Sequence, residues 1–116
     1  MDKISFLVQG SANEPYEVTF ERENNQIAAF CTCPAGANGT YCKHRLFILD
    51  GVISGIVSDN ADQAVTVASW LRGSNLAADI ENLSEAERVL EQAKSNVNKA
   101  KKNLAAAMMR RKYNAN

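Results

Sequence analysis

The hydrophobic pattern begins with a period of two. In the stretch KISFLVQG the residues Ile4, Phe6 and Val8 alternate with more polar neighbours, which predicts a strand with one buried face. YEVTFERE repeats the pattern through Tyr16, Val18 and Phe20, with Glu17, Thr19 and Glu21 pointing outward. QIAAFC resumes an extended apolar run two residues later. The intervening Asn24-Asn25 suits a two-residue hairpin because asparagine tolerates positive φ. Pro15 falls just ahead of the second strand, where a missing N–H costs little. The first third therefore reads as an antiparallel hairpin, with the opening segment as a third strand.

Beyond Pro34 the chain has no proline, and the period lengthens. HRLFILD, residues 44–50, reads as about two turns of helix with Leu46, Phe47 and Leu49 as its apolar positions and Gly51 as its stop. GVISGIVS fits a strand or a loop equally well. A helix is expected from a cap at Ser58 or Asp59, with a stripe of Ala61, Ala64, Val65, Ala68 and Leu71 and with Gly73 past its end. From Leu76 to Tyr113 everything reads as helix. Ser84-x-x-Glu87 matches a capping box, so a break near residues 82–84 is one option. The expected fold class is α+β. A small three-stranded antiparallel module occupies residues 1–56, and a helical region ending in a long basic helix occupies residues 57–116.

All three cysteines and the single histidine fall within residues 31–44, CTCPAGANGTYCKH. The spacing is Cys31-x-Cys33, eight residues, then Cys42-x-His44. A structural zinc ion takes four N/S ligands in a tetrahedron, and the stretch offers four. Two cysteines two apart at a strand end share a face. Pro34, Gly36 and Gly39 favour a turn that returns the second pair. With all four positions filled by protein, no open coordination site remains for a substrate, so the metal reads as structural. A redox Cys-x-Cys pair leaves Cys42 and His44 unexplained. A Cys–His nucleophile lacks an orienting partner. The glycines lack the Lys-Ser/Thr of a phosphate loop.

The stretch resembles the SWIM-type zinc finger, whose pattern is C-x-C, a variable gap, then C-x-H. The proline after the second cysteine, the lysine inside Cys42-Lys43-His44 and the preceding hairpin strengthen the likeness, which covers roughly residues 16–50. The resemblance implies a hairpin followed by a helix, a bound Zn2+, and a role in DNA binding or protein contact. The basic tail helix lies outside it.

Charge divides the chain. Formal net charge is zero, but residues 1–91 hold 13 acidic and 6 basic side chains, whereas residues 92–116 hold seven bases and no acid. Lys99, Lys101, Lys102, Arg110 and Arg111 on the tail, with Lys43 and Arg45 beside the cysteines, are the candidate phosphate contacts. The tail also carries a heptad seam: Leu83, Leu90, Val97 and Leu104 recur every seven residues, with Ala86, Ala93 and Ala100 three places after the first three. Such a seam predicts a partner helix, either within the chain or in a second copy forming a homodimer. No run approaches a membrane span, and MDKISFLVQG is too short and polar for a secretory signal. The expected setting is the reducing cytoplasm, where clustered cysteines favour metal. The sequence thus points to a non-enzymatic zinc module that binds nucleic acid or a protein, with assembly through the tail helix as the alternative.

Overall fold

The computed structural model describes the backbone of residues 1–114 and the side chains of residues 1–110. Three strands, β1 (Asp2–Val8), β2 (Tyr16–Glu23) and β3 (Gln26–Cys31), form an antiparallel sheet in sequence order. The β2–β3 turn is the two-residue Asn24-Asn25 link, with Asn24 at φ 56°. Alternation sets the register. Phe6 pairs with Val18, Ile4 with Phe20, Phe20 with Ala29, and Val18 with Cys31, so these side chains share one face. Phe6, Val8, Val18, Phe20, Ile27 and Cys31 are buried there. Phe6 and Phe20 meet edge to face with centroids 6.1 Å apart, an aromatic contact worth about 0.5–1.5 kcal/mol beyond its area. The opposite face carries Glu17, Thr19 and Glu21, of which Glu17 is exposed and the other two half-buried.

Both edges of the sheet are closed by non-strand groups. Along β1, residues 55–60 supply the partners. Gln9 N donates to Gly55 O, Val57 N donates to Leu7 O, Leu7 N donates to Ser58 Oγ and Asn60 Nδ2 donates to Ser5 O, at 2.8–3.1 Å. The stretch left open between strand and loop is thus a loop with a single bridge, Val8 to Ile56. Along β3, Asn75 bonds the peptide groups of Ile27, and Arg45 donates to Ala29 O at 3.2 Å.

Helices α1 (Pro34–Ala37), α2 (Lys43–Leu49) and α3 (Ala64–Trp70) follow, the last preceded by a 3-10 turn at Ala61–Gln63. In α2 the buried residues are Ile48 and Leu49; Phe47, expected on the inner face, is 47% exposed. In α3 the inner face is Ala64, Val67 and Trp70, while Val65 of the expected stripe points to solvent. The 3-10 turn winds at three residues per turn and so shifts the phase of everything after it. The N-cap is Asn60 rather than Ser58 or Asp59. Ser58 instead donates to Asn60 Oδ1, which holds the cap in place. Trp70 is covered on one side by Arg22, whose guanidinium carbon lies 4.8 Å from the ring centroid. Gly73, at φ 73°, ends this segment as expected.

The chain forms two compact units, Met1–Ala78 and Asp79–Asn116. The boundary read from sequence at 56/57 falls inside the first, because α3 contributes to the core of the module. The second unit is nearly all of α4 (Ala77–Asn114), which runs unbroken through Ser84. Asp79 sits in the first turn of α4, so Ser84 and Glu87 lie inside a helix already under way and cap nothing. No described helix is long and apolar enough to cross a membrane.

Candidate metal centre

The four clustered ligands come from three places in the fold. Cys31 ends β3, where its pairing with Val18 fixes it to the core. Cys33 is the N-cap of α1, with Pro34 in the first turn. Its sulfur accepts from Gly36 N at 3.3 Å, so the short helix points an amide at a ligand atom. Between them Thr32 is pinned to β2: its N donates to Glu17 O at 3.1 Å, and its hydroxyl accepts from Glu17 N at 2.9 Å. Cys42 caps α2 in an extended conformation, and His44 sits in the first turn. The turn between the pairs uses Gly39 at φ 73°, where a side chain would be strained.

The donor atoms converge. Cys33 Sγ lies 3.5 Å from Cys42 Sγ, and His44 Nδ1 lies 3.5 Å from Cys42 Sγ and 3.8 Å from Cys31 Sγ. All four lie within 4.8 Å of one another. A tetrahedral zinc with its ordinary bond lengths needs S···S edges of about 3.8 Å and S···N edges of about 3.6 Å. The cluster fits. The cysteines are buried and unbridged, and the histidine is half-buried. His44 turns its other nitrogen toward Gly10, and its ring packs on Tyr16 at a centroid distance of 5.2 Å.

The thiols hold their protons unequally. Burial raises Cys31, and its contacts with Cys33 and Cys42 add to this against the Cys33 amide, taking it to about 12. Burial also raises Cys42, but the Arg45 amide and contacts from Cys33, Cys31 and His44 outweigh it and bring it down to about 6. One sulfur is thus ready as a thiolate, while Cys31 keeps its proton until a cation replaces it.

The remaining site residues are scattered. Arg45 was expected to meet phosphate, but its guanidinium donates to Ala29 O and Thr40 O, locking the metal loop to β3. Lys43 is exposed at the head of α2. Lys99, Lys101, Lys102 and Arg110 are exposed along α4, and the Arg111 side chain lies outside the described residues. Leu90, Val97 and Leu104 of the seam are more than half exposed, Ala86, Ala93 and Ala100 are also exposed, and Leu83 is half-buried.

One feature carried no sequence signal. A cleft of about 680 Å³ opens beside the cluster, with Cys33, Cys42 and His44 in its wall. Val8, Tyr16, Phe47, Val52 and Ile56 give it an apolar lining. These residues come from β1, β2, α2 and the loop that covers β1, so only the fold assembles them.

The family model of the SWIM zinc finger matches residues 6–50, from within β1 to the end of α2. The match encloses the sheet, the four ligand residues and the helix that carries His44. The Cys/His cluster lies wholly inside the matched stretch and is suited to Zn2+. Comparison with curated proteins and with solved structures gave no match.

Proposed function

We propose that the SWIM finger is a zinc-stapled docking module, a non-enzymatic adaptor that holds an apolar segment of a protein partner in the cleft beside the metal. The Sγ atoms of Cys31, Cys33 and Cys42 and Nδ1 of His44 would hold the ion. When bound, zinc supplies a rigid crosslink between β3, α1 and α2, with no open position for chemistry. The observation that carries this reading is the apolar cleft itself, with Phe47 47% exposed at its rim although α2 has an interior to place it in.

The net charge of the module leans toward a protein partner, while the cleft wall itself carries one base, Lys43, and no acid. Residues 1–78 hold eight acidic and five basic side chains. A Cys₃His zinc centre adds a further formal −1. One of the five bases, Arg45, is committed to backbone carbonyls. A module of net negative charge lacks the long-range pull on a phosphate backbone that nucleic-acid binding draws on. Reduced thiols, and hence the cytoplasm, are the setting in which such a centre persists.

Peptide-display selection on the zinc-loaded chain tests the reading. Apolar peptides should be enriched, and their binding should vanish on chelation and in Phe47→Asp. Failure to enrich any peptide that Phe47→Asp loses would overturn it.

A second reading has its own observation. Lys99, Lys101, Lys102 and Arg110 line a stretch of α4 with no acid after Glu91. If α4 binds nucleic acid, the contact is to phosphate, and each charge engaged contributes about −0.9 to the slope of log K against log salt on duplex DNA. Lys99, Lys101 and Lys102 changed together to Ala should flatten that slope and weaken all sequences alike. An unchanged slope excludes this surface. A homodimer joined along α4 would present two clefts at once, which raises avidity for a repeated partner.

A further inference from the structure

On α4 the large residues of the seam are turned outward from their own helix: Leu90, Val97 and Leu104 are 54%, 51% and 58% exposed. We infer that a second copy of this chain covers it, antiparallel, with the two-fold axis passing beside Ser95. This rests on α4 alone and is independent of what the zinc module binds.

Side-chain size selects the direction. In an antiparallel pair centred at Ser95, Leu83 lies opposite Ala107 of the second copy, Leu90 opposite Ala100, Val97 opposite Ala93 and Leu104 opposite Ala86. Every layer then joins one large and one small residue, so the helices keep a constant separation across about 36 Å of seam. A parallel pair would alternate layers of two large residues with layers of two alanines. The alanine layers would leave gaps that the leucine layers hold open, and such gaps forfeit dispersion contacts. Shifting the antiparallel pair by one heptad leaves at least one large residue without its alanine.

Charge selects the same direction. Residues 77–91 of α4 carry five acids against one base, and residues 92–110 carry five bases and no acid. Antiparallel pairing lays each acidic half along a basic half, whereas parallel pairing sets like against like. On the flank of the seam this becomes specific: Glu87 faces Lys101 of the second copy, and the symmetry repeats the pair. Lys94 approaches its own counterpart across the axis, but it already has a partner in Glu91 at 3.4 Å within its chain. On the other flank Asn96 meets Asn96, a pair able to exchange amide hydrogen bonds.

Charge reversal tests both the partner and the direction. Sedimentation equilibrium of the full zinc-loaded chain at low salt should give a dimer. Glu87→Lys should weaken it about tenfold, because two exposed attractive pairs become repulsive. Adding Lys101→Glu to Glu87→Lys should restore it, since each reversed charge again meets its opposite. Ala93→Leu should disrupt two layers, while circular dichroism shows the helix intact. A monomer at high micromolar concentration would overturn the inference. So would a dimer indifferent to Glu87→Lys, because in a parallel pair Glu87 and Lys101 do not meet.

Discussion

The side-chain amide of Asn75 spans the peptide groups of Ile27, accepting from its N–H at 2.8 Å and donating to its carbonyl at 3.3 Å. A neighbouring strand would make the same two bonds. Here a single residue, 48 positions away, replaces that strand at the free edge of β3. The Asn75 backbone N donates in turn to Asn25 O at 3.1 Å, so the mimic is anchored to the hairpin turn.

Asn75→Ala should therefore cost about 1–3 kcal/mol, the range for leaving part-buried polar groups unpaired. Chemical denaturation of the zinc-loaded chain measures this. Asn75→Asp keeps the acceptor and loses the donor, and should recover only part of the loss.

One zinc per chain is expected on elemental analysis of protein prepared without chelator. Structural zinc binding is worth about 10–16 kcal/mol apparent, comparable to the net stability of a whole domain. Cys33→Ser or Cys42→Ser should release the metal and unfold the 31–50 segment with the sheet it closes. Much of the helical circular dichroism should survive, because α4 belongs to the second unit.

Two glycines of the metal loop should respond differently to alanine. A Cβ on Gly36 would meet Cys31 O at 2.5 Å and Cys31 Cβ at 2.8 Å, so a ligand residue must move. The same change disturbs the amide that reaches Cys33 Sγ. Gly36→Ala should lower zinc affinity by about 10–100-fold, the usual cost of losing support around a ligand. Gly39 has open space around its Cβ position and only its φ of 73° to protest. Gly39→Ala should cost about 1–2 kcal/mol of stability and leave zinc affinity nearly unchanged. Competition against a chromophoric chelator ranks the two.

Protons compete with zinc in a definite order. Cys31, pushed up to about 12, must surrender a proton to the metal throughout the neutral range. Cys42, brought down to about 6, is already a thiolate above that pH. Lowering the pH therefore weakens zinc binding, and the fall should steepen below about pH 6 as Cys42 also begins to hold a proton. Chelator competition between pH 8 and pH 5 reads the slope directly; a slope constant across pH 6 would contradict the order.

The sheet and the metal ligands were legible because their signals are local. Phe6, Val18 and Phe20 alternate within single strands, and the four ligands sit within one short stretch. The face of α3 was misread for a reason of the same scale. Val65 and Val67 are both apolar, and only the 3-10 turn before them decides which one faces inward. Arg45 reads in sequence as a base free to meet phosphate, and nothing local marks Asn75. Their partners, Ala29 and Ile27, become neighbours only when the sheet has formed. The cleft, too, has no signature in sequence, since Val8, Tyr16, Phe47 and Ile56 belong to separate elements.

Arg45 ties Thr40, in the metal loop, to Ala29, on the outer edge of β3. Release of the metal therefore frees more than the ligands. Once the loop loosens, Arg45 no longer covers Ala29, and bare strand is offered to any neighbour with an edge of its own. The zinc ion thereby acts as a guard against edge-to-edge aggregation, at a distance and through one guanidinium. A cell short of zinc would therefore meet this chain as a solubility problem.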